Sequence, residues 1–225
     1  MFYIVLRRYK LNSVLFCYQI NKIMKHMRFL TIAFFFLTTM SFAQNETSQS
    51  TWSADVSHSN LGFKVRHKAI SYTVGDFRDF DLTIHTIVED KDTNKARFEN
   101  AAIEMTIQTG SINTANESRD KHLCGTDFFD AKSYPQIIYK SKQVKLKEAN
   151  IYEVLGDLNM HGVTKELTLL MVHNGTVKTR RGNELAGLYF STTFKRSDFN
   201  IGEEMPTTVV ADEIELNAEI EIVKQ

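Results

Sequence analysis

Hydrophobic and polar residues alternate with a period of two along most of the chain from Trp52 onward, which is the pattern of β-strands that bury one face. Turn signals at Asn174-Gly175 and Arg181-Gly182-Asn183, and the lack of helical segments for parallel crossovers, favour antiparallel neighbours. The sequence therefore predicts an all-β fold. Its eight alternating runs are 61–67, 80–86, 101–109, 137–141, 152–160, 167–171, 188–194 and 214–222.

One segment departs from this alternation. Thr114, followed three residues later by Glu117, forms a capping box, and Gly125 is suited to end a helix in the left-handed conformation. We therefore expect a short helical insertion of about three turns at about 114–132. It interrupts a run of strands, so it is expected at one end of the sheet, where it shapes an opening.

Eight antiparallel strands can bury their apolar faces in a sandwich or in a closed barrel. Several runs span about nine to twelve residues, longer than the usual five or six, which favours an up-and-down barrel. Its interior is either hollow or filled. Ala101, Gly156, Ala186 and Ala218 leave room along the axis for one slender ligand, whereas interdigitation with larger residues gives a packed core, and alternation is compatible with both.

The first 43 residues predict a leader with a signal peptide. A basic segment at 24–28 precedes an apolar stretch at 29–37, and Ser41-Phe42-Ala43 offers a cleavage site after Ala43. The apolar stretch is shorter than the roughly 18 residues of a membrane span, so we expect an exported chain with no stable span after cleavage. An uncleaved N-terminal anchor is the alternative. Residues 44–51 are polar and predict a disordered lead-in.

Charge and cysteine content narrow the function. The predicted mature chain has 21 basic and 27 acidic residues, which disfavours nucleic acid and anionic membrane surfaces as default partners, because both favour a basic face. Cys17 leaves with the leader, so Cys124 is alone in the mature chain, either as a small buried apolar side chain or as a redox thiol. The histidines lack zinc-binding spacing, and no nucleophile elbow or phosphate-binding glycine loop occurs. We therefore expect neither an enzyme nor a metal or cofactor site.

A set of short motifs, taken in order, resembles the YceI-like family of exported polyisoprenoid-binding proteins. The matching residues are Trp52–Asp55, His58-Ser59, Phe63–His67, Gly75-Asp76-Phe77, Ser111–Thr114, Arg119–Leu123, Phe128-Phe129-Asp130, Tyr134-Pro135, Gly156-Asp157-Leu158, Gly162–Lys165, Arg196–Phe199 and Ile201-Gly202. Cys124-Gly125, Glu166 and Asn200 depart from the family pattern, and Asn200 takes the position of a glycine.

The resemblance implies a lipocalin-like barrel over residues 52–225, located in the periplasm or secreted. It also implies a long isoprenoid lipid, of the quinone or polyprenyl-phosphate type, inside the barrel, and so favours the hollow interior. The alternatives are a periplasmic stress-response or redox factor that uses Cys124, and an interaction module without a ligand. The oligomeric state stays open, a homodimer included.

The expected ligand site combines apolar residues from inward strand positions with polar residues of the insertion. Arg119, Asp120 and His122 either meet the polar head of the ligand or form an internal network that holds the insertion to the barrel. Arg196, Asp198 and His67 raise the same two alternatives. The expected apolar lining consists of Phe63, Phe80, Ile84, Ile103, Met105, Ile107, Tyr139, Leu158, Met160, Leu169, Phe190 and Phe194.

Overall fold

The computed structural model describes residues 48–88 and 97–225, so the predicted leader of residues 1–43 lies outside the described residues. Within these residues there is one α-helix, α1 (Glu117–Leu123), and there are two 3-10 turns, Thr109–Ser111 and Arg196–Phe199. The strands are β1 (Ser48–His67), β2 (Ser71–Phe77), β3 (Phe80–Val88), β4 (Ala102–Gln108), β5 (Ile112–Asn113), β6 (Gln136–Glu148), β7 (Ile151–Met160), β8 (Val163–Lys178), β9 (Glu184–Lys195) and β10 (Val210–Lys224).

Eight of these strands form a closed antiparallel barrel, in the order β1-β3-β4-β6-β7-β8-β9-β10. The pairing of β10 with β1 closes it, with Trp52 opposite Lys224 and Val65 opposite Ile214. The 20 residues of β1 pair with β10 on one edge and with β3 and then β2 on the other. The predicted eight-stranded, lipocalin-like barrel is confirmed, and each alternating run coincides with one strand of the ring.

The two remaining strands lengthen the barrel wall at one end. β2 pairs with the second half of β1, where Phe63 lies opposite Gly75, and β5 pairs with β2, where Ile112 lies opposite Phe77. The sequence analysis does not predict β2. In this strand Tyr72 and Val74 are exposed on one face and Phe77 is buried on the other, so apolar residues lie on both faces and no simple alternation marks the strand.

The first residues of β1 correct the predicted disordered lead-in at 44–51. Residues 44–47 lie outside the described residues, but β1 begins at Ser48 and pairs with β3 from Ser48 opposite Val88 to Thr51 opposite His85. Backbone hydrogen bonds hold this stretch, and they form whatever the polarity of the side chains. A polar composition was therefore not sufficient to predict disorder.

One of the two predicted hairpin turns is also wrong. Asn174-Gly175 lies within β8, where the pairing with β9 shifts register between His173 and Gly175, as in a β-bulge. Gly175 has a φ of +144°, so glycine serves the bulge rather than a turn. The chain reverses instead at residues 179–183, where Gly182 has a φ of +90°.

The helical insertion is confirmed, but its caps differ from the expectation. Asn116, not Thr114, caps the helix, because its side chain accepts a hydrogen bond from the backbone N–H of Arg119. Cys124 ends the helix in the right-handed conformation, and Gly125 is not among the residues with positive φ. The helix is therefore about two turns long rather than about three.

The end of the barrel that holds the start of β1 and the end of β10, called the closed end here, is filled with aromatic rings. Phe98 is fully buried, and its ring meets those of Trp52, Tyr152 and His173 edge-on at centroid distances of 6.0, 6.2 and 5.1 Å. Edge-to-face contacts of this kind add to the hydrophobic gain from burial. Among the described residues, these rings therefore pack the interior of this end of the barrel.

Tyr139 of β6 is buried in the core, where its ring packs along the neighbouring strand β7. A Cβ added at Gly156 would lie 2.6 Å from Cζ of Tyr139, so the ring occupies the space that the glycine leaves. Its hydroxyl donates a hydrogen bond of 2.9 Å to the backbone oxygen of Val154. Burial raises the pKa of Tyr139, which keeps the phenol protonated as this donor. The expectation that Gly156 leaves space along the axis is therefore wrong.

The opposite end, called the hollow end here, is covered by the segment between β9 and β10, which Arg196 holds in place. The buried guanidinium donates from Nε to Ala211, from Nη1 to Ile201 and Gly202, and from Nη2 to two further backbone oxygens; these belong to Met205 and Val210. All of its N–H donors are used. Asn200, which stands in a glycine position of the family pattern, turns this segment with a φ of +56°.

The Tyr139–Gly156 contact can be tested by Gly156→Ala. The added Cβ would also lie 2.5 Å from the backbone oxygen of Lys140, so the backbone itself must shift. We expect the free energy of unfolding to fall by about 1–3 kcal/mol in urea titrations. Gly110→Ala is the control, because its Cβ meets no atom within 4 Å. Equal stability of the two variants would contradict the close packing at Gly156.

The role of Arg196 can be tested by Arg196→Lys, which keeps the charge but supplies fewer donors in a different geometry. At least two buried backbone oxygens lose their partner, so we expect the free energy of unfolding to fall by about 2–4 kcal/mol. Arg78→Lys, at a side chain that is 70% exposed, should change stability by less than about 0.5 kcal/mol. If Arg196→Lys leaves the free energy of unfolding unchanged, the backbone oxygens that Arg196 bonds do not need the guanidinium.

Candidate ligand-binding cavity

A cavity of about 110 Å³ lies at the hollow end and is partly open to the outside. Its exposed wall is entirely apolar. The residues that line it come from the strands at this end, from α1 and the turns after it, and from the segment after β9. They are Phe63, Val65, Phe77, Ile107, Ile112, Leu123, Phe128, Phe129, Ile137, Leu158, Met160, Phe194, Arg196, Ile201, Val210, Ile214 and Leu216.

Two parts of the wall meet through aromatic rings. The hairpin formed by β1 and β2 contributes Phe63 and Phe77, whose ring centroids are 5.8 Å apart. Phe129, from the turns after α1, meets Phe77 edge-on at 6.1 Å. Phe63 and Phe129 are only partly buried, so this row of rings runs from the interior toward the outside. At the boundary between the hairpin and the α1 segment, the wall therefore consists of partly exposed aromatic rings.

Arg196 is the one charged residue on the described wall, and it has no donor left for a ligand. Its guanidinium N–H groups are bonded to backbone oxygens of residues 201–211. The Arg196 guanidinium therefore presents a delocalised positive charge to the cavity, but no free N–H donor. The cavity offers a ligand apolar contact and no directed hydrogen bond from a side chain.

The size of the cavity limits what it holds without rearrangement. An engineered cavity of about 150 Å³ in another protein accepts benzene, a molecule of six carbon atoms. The cavity of about 110 Å³ is thus comparable to one branched five-carbon unit of an isoprenoid. A longer chain needs wall side chains to move.

The structure separates the twelve apolar residues of the expected lining into two groups. Five lie on the cavity wall, namely Phe63, Ile107, Leu158, Met160 and Phe194. The other seven belong to the packed core and are not among the wall residues, namely Phe80, Ile84, Ile103, Met105, Tyr139, Leu169 and Phe190. Six of the second group lie toward the closed end or beside the Tyr139 ring, whereas Phe80 lies opposite Ile107 of the cavity wall and is buried in the core.

The expected polar residues of the insertion lie away from the cavity wall. Arg119 donates from Nε to Oγ1 of Thr114 at 2.7 Å and from Nη2 to the Thr114 backbone oxygen at 2.8 Å. The carboxylate of Asp120 accepts hydrogen bonds from the N–H and the hydroxyl of Thr114. These contacts correspond to the internal network, which fastens α1 to the end of β5. The His122 side chain is 55% exposed, and its Nε2 lies 3.4 Å from Oδ2 of Asp127. Its ring packs edge-on against Phe128.

The sequence analysis missed wall residues for two reasons. Ile112, Leu123, Phe128, Phe129 and Ile201 lie in a two-residue strand, a helix or turns, where no period-two pattern marks an inward position. Val65, Ile137, Ile214 and Leu216 lie in predicted alternating runs but were not selected, and Phe77 and Val210 lie in strands outside those runs. The family motifs could have identified some of these wall residues, because they contain Phe128-Phe129 and Ile201-Gly202.

Cys124 caps the C-terminus of α1 and packs partly buried against the core. Burial, and then the charge of Asp120, raise the pKa of the thiol. The thiolate is the reactive form of cysteine, so this environment lowers its reactivity at neutral pH.

Within the described residues, no helix combines the length and the hydrophobicity that crossing a membrane requires.

Comparisons with known proteins are consistent with the fold. A UPF0312 protein of Pseudomonas putida strain GB-1 is 34% identical over 168 residues, which cover 75% of this chain and 82% of that protein.

Solved structures show the same barrel. The YceI protein of Campylobacter jejuni superposes with a TM-score of 0.61 at 34% identity, over 74% of this chain and 94% of that one. A polyisoprenoid binding domain from Saccharophagus degradans superposes with a TM-score of 0.55 at 14% identity, over 76% and 97% of the two chains. Residues 52–222 match the YceI-like domain. The chain therefore belongs to the YceI-like family.

Proposed function

We propose that this protein is exported and binds the apolar chain of an isoprenoid lipid, such as a quinone or a polyprenyl phosphate, in the hollow end of its barrel. The observation that carries the proposal is the partly open cavity, whose exposed wall is wholly apolar and whose single charged residue has no free donor. The polyisoprenoid binding domain from Saccharophagus degradans, which shares the fold, supports this class of ligand. The predicted signal peptide supports a periplasmic or secreted location.

Binding at such a site depends on the hydrophobic effect. Each Å² of apolar surface removed from water contributes about 25 cal/mol, and a buried methylene contributes about 0.8 kcal/mol. A branched chain fits because the wall combines aliphatic and aromatic side chains. The polar head gains nothing from entering, because no free donor awaits it, so it stays at the opening. The affinity for a lipid should therefore depend more on its apolar chain than on its polar head group.

A chain longer than one isoprene unit requires the cavity to widen. Phe129 lies at the boundary between the α1 segment and the hairpin and is only partly buried, so rotation of its ring toward the outside adds volume to the cavity. The core beyond Tyr139 is packed, which directs the rest of the chain toward the opening. The proposal is thus a lipid held by one end, and not one threaded through the whole barrel.

Binding can be measured with farnesol and geranylgeraniol as probes, by displacement of a fluorescent fatty-acid analogue. We expect Leu216→Trp, which places an indole on the cavity wall, to weaken binding by about tenfold or more, because the ring competes with the chain for the same space. Leu170→Trp is the matched control, since Leu170 is 44% exposed and absent from the wall. Equal affinities for the two variants would place the ligand elsewhere.

Native mass spectrometry of protein purified from its own host provides the direct test. We expect an adduct of several hundred daltons that organic extraction removes and that matches an isoprenoid lipid by fragmentation. Leu216→Trp should carry less of it than Leu170→Trp. Consistent absence of an adduct, together with no binding of the two probes, would contradict the proposal.

The state of Cys124 separates lipid binding from the redox alternative. Because burial raises the thiol pKa, the thiolate fraction at neutral pH is lower than that of a free cysteine, and it grows as pH rises through the shifted pKa. We expect slow reaction with iodoacetamide at pH 7, a rate that rises with pH, and unchanged geranylgeraniol affinity in Cys124→Ser. Reaction at pH 7 faster than that of glutathione would support the redox function instead.

A further inference from the structure

The hairpin of β1 and β2 has an exposed apolar outer face. Ile70 at its tip is 86% exposed, Val74 is 62% exposed and Tyr72 is 47% exposed. These three large hydrophobic side chains lie within five consecutive residues, at alternate positions. Isolated hydrophobic residues on a surface are ordinary, but a row of them marks an interaction surface.

The same outer face carries basic side chains from β1. Arg66 lies opposite Tyr72 and Lys64 opposite Val74 in the antiparallel pairing, so these four side chains share one face. Lys64 Nζ and the Arg66 guanidinium lie 5.1 and 5.3 Å from the centre of the Tyr72 ring, and Arg66 donates to its hydroxyl at 3.1 Å. We call Lys64, Arg66, Lys68, Ile70, Tyr72 and Val74 the hairpin face.

The charge of this hairpin is opposite to that of the chain as a whole. No acidic residue occurs from Val56 to Gly75, although the predicted mature chain is acidic. Lys64 is paired with Glu215 of β10 at 2.8 Å. Among the described residues, Arg66 and Lys68 have no carboxylate oxygen within 4.0 Å. Two cations at the tip are therefore available to an anionic partner.

The inner face of the same hairpin is part of the cavity wall. Phe63 and Val65 alternate with Lys64 and Arg66 along β1, and both line the cavity. The hairpin tip is fixed to the segment over the hollow end, because the backbone N–H of Lys68 donates to the oxygen of Val209 at 2.9 Å. The exposed apolar face and the cavity therefore belong to one end of the barrel.

We propose that the hairpin face docks on an anionic lipid surface, with Ile70, Tyr72 and Val74 in the interfacial layer and Arg66 and Lys68 on lipid phosphates. The proposal rests on the proposed function in one respect, since docking brings the opening of the cavity to the bilayer from which an isoprenoid chain is taken. Tyrosine and basic residues are the side chains favoured at the interface between water and lipid.

A second copy of the chain is the alternative partner for the hairpin face. Within the described residues, the outer edge of β2 is paired only at Asp76 and Phe77, so Ser71–Gly75 present an open edge that another strand can extend. A symmetric contact through this edge would bring two basic hairpins together, which like charges disfavour. An anionic surface is complementary to both features of the face, the apolar row and the cations.

The test is flotation of protein expressed from the full chain with two kinds of vesicle, phosphatidylcholine alone and phosphatidylcholine with phosphatidylglycerol. We expect binding to the anionic vesicles that weakens as salt is added. Val74→Asp should lower the partition constant by about tenfold or more, because it places a carboxylate in the interfacial layer. Val177→Asp is the matched control, since Val177 is 63% exposed near the closed end.

The cations are tested by the double variant Arg66→Gln with Lys68→Gln. We expect its partition constant on anionic vesicles to fall by about 30-fold, while its weak binding to phosphatidylcholine alone is unchanged. Failure of the protein to float with anionic vesicles would overturn the proposal. Flotation that neither Val74→Asp nor the double variant weakens would overturn it as well.

Sedimentation velocity on the same variants tests the alternative partner. A self-association that Val74→Asp abolishes, without flotation of the unchanged protein, would show that the hairpin face joins two copies. Geranylgeraniol binding, measured without vesicles, should be the same in Val74→Asp and in the unchanged protein. If the unchanged protein floats with anionic vesicles but binds no geranylgeraniol, the proposed function is wrong and the docking proposal stands. Failure of isoprenoid binding can therefore be distinguished from failure of membrane docking.

Discussion

The structure depends on the pairing of β1 with β10, which closes the sheet on itself. Closure gives each strand of the ring two neighbours and sets an interior just wide enough for side chains or one slender ligand. The inward residues must then either fill that interior or leave a cavity. Where a ring meets a glycine, as Tyr139 meets Gly156, the interior is solid. At the hollow end, a gap remains beside the rings of Phe63, Phe77 and Phe129.

The two halves of the barrel therefore have different properties. The closed end is held by edge-on contacts among Trp52, Phe98, Tyr152 and His173, which make it a rigid base. The hollow end is bounded by chain segments outside the ring, and these need their own support. Arg196 supplies it by bonding five backbone oxygens, and a buried cation is tolerable when its donors are satisfied in this way.

The hairpin of β1 and β2 has different side chains on its two faces. Its β1 strand turns Phe63 and Val65 toward the cavity and Lys64 and Arg66 toward the outside, as strand alternation requires. Its β2 strand exposes Tyr72 and Val74 and buries Phe77. One element thus contributes to the cavity wall and to the outer surface, and a change on one face leaves the side chains of the other in place.

The sequence by itself determined the eight strands of the ring, their antiparallel pairing and the helical insertion, because period-two alternation and helix signals are properties of neighbouring residues. It also contained the motifs of the family. It did not distinguish Leu158, on the cavity wall, from Tyr139, in the packed core, since both are inward residues of adjacent strands. Only the tertiary structure decided this, because cavity and core differ by which distant residue lies across the barrel, and local patterns carry no such information.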